Sequence, residues 1–505
     1  MFDFNVLALL AQPESWLTLL VGVLAGLAVG VLPGLGTVTA LALLTPFVFN
    51  MDPAQAIIFL ASLTAVTMTG GSITSILMGI PGESVNAATI LDGYPMMKNG
   101  EAGRAVGAAI MSSILGGIFG AIVLAAIIPV VKPAILSLGH PELTMLAVFG
   151  LTLIAYIGKE ALGKGLIMTA FGVALSLVGH DPITGSLRYT FGSETLYDGI
   201  PLVPVLLGLF AIPELVDAYG KGRDGGPSKA GVPRITMSQA YAGQWLGVKD
   251  TFQHWFLVIR CGAIGTFLGM VPGVGASVST FIAYGHAKQS AKDPSRFGRG
   301  AVEGVLAPEA ANNAKDGGAL VPTLGLGIPG SAVMVLLMAS FTLIGVPVGP
   351  ELLKSGQGVI LGIAVLVAVA NVVGGAIAYS GSAFAIKLTS VDPLLMVPWI
   401  AAFVVLGAFG PQLKIFDLVV TFAFGGLGII LQRYGYPVVG LVLGLVLGPI
   451  LNINLEASLS YFGWAGMFMR PLTIVMTLLC IFVIARSVYS SLRKNDRPVP
   501  SEVAS

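Results

Sequence analysis

Long apolar runs alternate with short polar loops along almost the whole chain. Such runs predict helices that cross a bilayer. Trp16–Leu32 and Thr37–Phe49 form two arms around Pro33-Gly34. At about 1.5 Å per residue each arm reaches roughly 20 to 25 Å, short for a hydrocarbon core of about 30 Å, so the pattern predicts a helical hairpin that enters and returns. A crossing follows over 54–80, interrupted at Gly70-Gly71, and then a polar loop through Asp92-Gly93-Tyr94-Pro95 to Arg104. Further crossings are predicted over 105–131, 142–157, 166–178 and 202–218, and a polar surface linker with an amphipathic helix over 219–253. Arms 255–271 and 277–286 then repeat the hairpin, followed by a basic loop from Lys288 to Lys315. Crossings at 318–346, 359–379, 394–409, 416–431, 438–451 and 469–484 complete the pattern, and the tail is expected to be disordered beyond Asp496.

The predicted class is therefore an all-α polytopic membrane protein with about 11 crossings and two re-entrant hairpins. The predicted organisation is a first membrane repeat over 1–218 (hairpin 16–49), a cytoplasmic linker over 219–253, a second repeat over 254–485 (hairpin 255–286) and a cytoplasmic tail over 486–505.

A duplicated motif supports two repeats. Gly30-Val-Leu-Pro33-Gly34-Leu-Gly36-Thr37 returns as Gly269-Met-Val-Pro272-Gly273-Val-Gly275-Ala276, and Gly79-Ile-Pro81-Gly82-Glu83-Ser84 returns as Gly327-Ile-Pro329-Gly330-Ser331-Ala332. Pro33 and Pro272 are 239 residues apart, Pro81 and Pro329 248, so one unit recurs with a small insertion. Proline removes a backbone donor and glycine admits close approach, and freed backbone survives in hydrocarbon only where protein or a polar cavity receives it. Lys and Arg bias sets orientation: nothing before Lys98 is basic, whereas both flanks of the second hairpin are. The first hairpin is thereby based outside and the second inside, and the odd number of crossings between them requires the same inversion. An inverted repeat of this kind places its solute near the midplane.

Composition sharpens the class. Hydrophobic residues make up 55% and charged residues 10% of the 505, with mean hydropathy +0.90 and a net charge of +1. That charge gives no reason to expect nucleic acid. The 67 glycines suit close helix packing in lipid. Cys261 and Cys480 lie in separate apolar segments without ligand spacing, and residues 1–14 lack the basic start of a cleavable signal peptide. The four histidines have no carboxylate or second histidine at ligand spacing, so no metal is expected. No zincin, serine-hydrolase or nucleotide-binding motif occurs, and energy for transport must come from an ion gradient or a partner.

The candidate solute-binding residues follow from the tips. Gly34, Gly36, Gly273 and Gly275 offer backbone N–H groups at helix starts, where the dipole favours anions. Thr37 and Thr39, with Ser277 and Ser279, stand ready either to cap those starts or to touch a bound anion. Gly82, Ser84 and Asn86 belong to the second motif, with Gly330 and Ser331 in its copy. Glu83 is a candidate coupling group or a carboxylate at a helix start. Glu309, Asn312 and Asn313 are oxygen ligands at helical spacing for a hard cation, or residues of a solvated loop. Thr67, Thr69, Ser72 and Thr74 can bond a solute or pack between helices. No Arg or Lys falls at the centre of either hairpin, so backbone dipoles or a co-bound cation must balance an anionic solute.

Leu32-Pro33-Gly34-Leu35-Gly36, Leu91-Asp92-Gly93-Tyr94-Pro95, Ala307-Pro308-Glu309-Ala310-Ala311-Asn312-Asn313-Ala314 and Gly327-Ile328-Pro329-Gly330 occur in that order. By these four motifs, over nearly its whole length, the chain resembles the large membrane subunit of the tripartite tricarboxylate transporters. The resemblance implies a secondary transporter in a bacterial inner membrane, importing citrate or related carboxylates by Na⁺ or H⁺ symport. It also implies a small four-helix membrane subunit and a periplasmic solute-binding protein as partners. In that membrane the Lys and Arg bias puts the N-terminus on the periplasmic side and the C-terminus on the cytoplasmic side. A passive anion channel and an intramembrane hydrolase using Ser72 or Ser331 are the alternatives, the latter lacking a nearby base.

Overall fold

Nineteen residues from Pro13 to Val31 form one uninterrupted helix in the computed structural model, which describes residues 6–32, 35–157, 162–181, 183–223, 237–271, 276–388, 393–410 and 413–495. The short helix α1 (Val6–Leu10) precedes it, and Pro13 sits in the first turn of this α2 (Pro13–Val31), where its missing N–H costs nothing. The helix starts three residues earlier than the apolar pattern indicates and reaches about 28 Å, so this arm is not the short one expected. Across the tip, α3 (Thr37–Val48) is the shorter arm. Asp52 then caps α4 (Pro53–Met78), accepting from the Ala54 and Gln55 amides at 2.9 and 3.4 Å.

No interruption occurs at Gly70-Gly71, because α4 runs straight through the pair. The glycines serve contact instead: a Cβ on Gly70 would press on the Leu27 carbonyl, and one on Gly71 on Asn86 and Gly82. The polar stretch after it is likewise helical, as α5 (Ala87–Lys98), and α6 (Ala102–Leu136) begins within the span expected to be loop. Then come α7 (His140–Ile157), α8 (Leu162–Ser176), a two-stranded antiparallel hairpin of β1 (Gly179–His180) and β2 (Leu187–Arg188), and α9 (Leu202–Leu206). A π-helical turn, Leu207–Ala211, leads into α10 (Ile212–Arg223). Of the expected linker, the described part is the end of α10 and α11 (Met237–Gln253), which is docked on α6. Gly107 and Gly247 let the two backbones touch, and Arg104 grips Asp250 through two hydrogen bonds of 2.6 and 3.1 Å.

The second hairpin uses α12 (Trp255–Met270) and α13 (Ala276–Ser290). The basic loop expected over 288–315 is short in fact: α14 (Glu303–Leu326) takes in the whole Ala307–Ala314 motif and buries it. The apolar run expected as one crossing after residue 318 is two elements, the end of α14 and α15 (Ala332–Leu343), separated at Gly327–Ser331. The remaining helices are α16 (Pro350–Ser355), which the apolar pattern did not indicate, α17 (Gln357–Leu388), α18 (Pro393–Phe409), α19 (Ile415–Arg433), α20 (Val438–Phe468) and α21 (Pro471–Asn495). Among the described residues, seven helices are long and apolar enough to cross a membrane and six shorter apolar helices accompany them. The chain is a multi-pass, helical membrane protein.

Two compact units are cut from it: 1–136 with 201–428, and 137–200 with 429–505. Each unit draws on both halves of the sequence. In the larger, Leu35, Leu43, Leu207, Ile400 and Val404 build an apolar core among α3, the π turn and α18. In the smaller, Met145, Met467 and Cys480 pack together, Arg470 pairs with Glu142 at 2.6 Å, and Arg188 bridges Asp181 and Glu456. Asp181 lies in the loop after α8, and the Thr184 hydroxyl above all holds its carboxyl below the usual range.

Candidate functional site

All the site residues that the structure describes fall in the larger unit, where the two copies of the motif have matching local geometry. Gly79 closes α4 and Gly327 closes α14 in the left-handed conformation, with φ of 68° and 72°, which a side chain would strain. Helix contacts match as well. A Cβ on Gly26 would collide with the Leu63 carbonyl and one on Gly265 with that of Ala311; Gly30 pairs with Thr67 as Gly269 pairs with Lys315. A Cβ on Gly82 would lie 3.1 Å from the Gly30 carbonyl oxygen, and one on Gly330 3.1 Å from that of Gly269. Every one of these pairs obeys the offsets of 239 and 248 seen in the sequence.

The first copy is closed by Glu83. Its carboxylate accepts from both the backbone N–H and the hydroxyl of Thr37, the first residue of α3. Thr37 does not cap its own helix; it donates to Glu83. Gly36 must be small because a Cβ there would lie 2.9 Å from the Glu83 Cγ. The Thr74 hydroxyl meets the Val31 carbonyl at the end of α2 at 2.7 Å, and Thr39 is buried on α3. Asn86 is buried with its amide engaged: it donates to the Met68 carbonyl at 3.1 Å and the Ser72 hydroxyl at 2.9 Å, and accepts from the Glu83 N–H at 3.2 Å. Ser84 is exposed beside it, and Gly82 is buried. Gly34, Gly273 and Gly275, and the side chain of Ser277, lie outside the described residues.

In the second copy, Ser331 caps α15 by accepting from the Met334 N–H at 3.4 Å. Ser279, Gly330 and Ser331 line a small cavity with Lys315 and Asp316, holding space for about one water (≈ 20 Å³). Lys315 is buried, and its Nζ lies 2.7 Å from Asp316 Oδ1. No lysine or arginine lies at the centre of either hairpin, but α14 brings Lys315 beside Gly330 and Ser331 of the second motif. The Ser84–Asn86 turn of the first copy packs on α13 and α14 of the second, which puts Glu83 within electrostatic reach of Lys315 and Asp316.

Glu309 occupies a different place. Fully buried, it accepts from Ser72 at 2.7 Å, Ser113 at 2.8 Å and Thr89, and so ties α4, α5 and α6 to α14. The solvated-loop alternative does not hold for it. Asn313 donates to Asn371 at 2.7 Å and Thr69 at 3.2 Å, while both amide atoms of buried Asn312 have no partner among the described residues. No hydrogen bond joins Glu309, Asn312 and Asn313 to one another, and among the described residues no cluster of three His, Cys, Asp or Glu could hold a metal. Residue order along the chain also concealed Asp92. It is buried on α5 and accepts from the N–H groups of Gly298, Gly300 and Ala301 at 2.8, 2.8 and 2.9 Å and from the Tyr284 hydroxyl at 2.9 Å.

Comparison with known proteins decides the family. Residues 16–443 match the model of the tripartite tricarboxylate transporter TctA family. The chain belongs to that family. It is 33% identical over 439 residues, 87% of this chain and 86% of the relative, to an Agrobacterium vitis protein described as an uncharacterized 52.8 kDa protein in the TAR-I ttuC′ 3′ region. A second Agrobacterium vitis protein, from the TAR-II ttuC′ 3′ region, is 33% identical over 195 residues, 39% of this chain and 81% of that relative. No solved structure matches the chain. As a TctA family member it is a membrane component of a tripartite transporter, which works with other subunits.

Proposed function

We propose that this TctA family protein is the permease of a secondary active transporter that imports citrate or a related di- or tricarboxylate with Na⁺ or H⁺. The supporting observation is that the Ser84–Asn86 turn of the first Pro-Gly motif packs on α13 and α14, whose Ser279, Lys315 and Asp316 line the cavity beside the second. A buried lysine and helix starts supply attraction for an anion, and the carboxylates supply sites for a cation. Transport then needs no group to react, only to bind and release. Matching glycine contacts at fixed offsets support an internal repeat, and the Lys and Arg bias supports its inversion, with the N-terminus periplasmic and the C-terminus cytoplasmic in a bacterial inner membrane. The partners in this reading are a small four-helix membrane subunit and a periplasmic binding protein that delivers the solute.

Reconstituted uptake tests it. Vesicles holding the full chain and its membrane partner, supplied with the soluble binding protein, are expected to accumulate labelled carboxylate only under an imposed Na⁺ or pH gradient. Flux that never saturates and ignores both gradients would instead identify a passive channel.

A further inference from the structure

The Lys315–Asp316 pair is the feature of the site that the motifs do not anticipate, and the role assigned to it rests on the carboxylate-transporter reading. Lys315 is the one lysine or arginine in the buried set among the described residues. Its ammonium carries three donors. One goes to Asp316 and one, at 3.2 Å, to the Met68 sulfur, a weak acceptor; the third has no partner among the described residues. Asp316 is nearly as enclosed, with a side-chain exposure of 16%, and only one of its oxygens is engaged by the lysine. Both residues line the cavity at the second tip, together with Ser279, Gly330 and Ser331.

We propose that Lys315 and Asp316 form an exchangeable ion pair that couples the two transported charges. A carboxylate of the solute takes the Lys315 ammonium, and a monovalent cation, a proton or Na⁺, takes the released Asp316 carboxylate. At these two residues the charges balance, one neutral pair becoming two neutral pairs, and the further carboxylates of a di- or tricarboxylate fall to the helix starts and to additional co-transported cations. Either half-step alone leaves a buried charge without a partner, which costs several kcal/mol. Solute without cation strands Asp316, and Glu83 in reach adds repulsion; cation without solute strands Lys315. Among the described residues the charged group in contact with Asp316 is Lys315, next to it on its own helix, with Glu83 of the first copy within electrostatic reach, so the penalty is local. Symport then arises from electrostatics at adjacent residues, with no separate ion cage.

The test uses proteoliposomes of the full chain with its partners, labelled citrate and malate as probes, and separate Na⁺ and pH gradients that distinguish the two cations. Wild type is expected to accumulate probe under one gradient. In Asp316→Asn the lysine is permanently available, so exchange of labelled for unlabelled probe persists without either cation, while uphill accumulation falls at least about tenfold. In Lys315→Met exchange weakens on the order of 30-fold or more. The double variant Lys315→Met/Asp316→Asn strands no charge and is expected at wild-type levels in the membrane, yet without exchange; it carries the test where a single variant fails to insert. Uphill accumulation by Asp316→Asn with unchanged cation dependence, or wild-type exchange in either variant lacking Lys315, overturns the coupling. Wild type that accumulates neither probe under either gradient overturns the transporter reading itself.

Discussion

At Glu83 one carboxylate receives the amide and the hydroxyl of Thr37, sealing the start of α3 from another part of the chain. Charge-assisted bonds of this type are roughly twice as strong as neutral ones. Glu83→Gln keeps an acceptor but not the charge, so the variant is expected to insert normally and lose most uptake; wild-type uptake would make the residue a cap alone. Glu309 separates the same two contributions differently. Glu309→Gln keeps an acceptor oxygen for Ser72 and Ser113 and turns an amide donor to Thr89, whose hydroxyl can accept, whereas Glu309→Leu strands Ser113 and Thr89 at about 1 kcal/mol or more each and leaves Ser72 to the Met68 carbonyl. Thermal unfolding in detergent should therefore place the Leu variant well below the Gln variant. The sequence made Glu83 and Glu309 visible as carboxylates in apolar surroundings. It hid Lys315 because that residue lies in a run of polar positions, Asn312, Asn313, Lys315 and Asp316, that looks like a loop until the helix is seen to bury it.

At the scale of elements, glycine rows fix how α2 meets α4 and how α12 meets α14. Gly269→Leu would drive a side chain into the Lys315 backbone, so uptake should fall sharply while a change at an exposed position outside the site such as Gln289→Ala leaves the packing intact. Asp92 is a clamp between α5 and the loop that leads into α14, holding three amides at once. Asp92→Ala should raise hydrogen exchange at Gly298, Gly300 and Ala301 and leave α2 unaffected; unchanged exchange at those amides would contradict the clamp. The helices themselves were legible where a run was uniformly apolar, as in 142–157 and 394–409. Boundaries failed where polar residues face other helices: α5 and the first half of α14 carry Asp92, Glu309 and Asn313 inward, toward partners some 200 residues away for the first two and 58 for the third. A local pattern cannot register such partners.

On the scale of the molecule, the proposal is that the duplicated glycine contacts and the packing of the Ser84–Asn86 turn on α13 and α14 let each half of the chain supply part of a single anion and cation site. The family is shown by similarity over residues 16–443, and the site is this chain's own geometry. The direct measurement is solute protection of cysteines placed in both copies, Ser84→Cys in the first and Ser331→Cys in the second, against a water-soluble thiol reagent; the native Cys261 and Cys480 are both buried. Citrate with the coupling cation should protect both positions over one concentration range. Protection of one position only, or of neither while uptake persists, would contradict a site shared by the two copies.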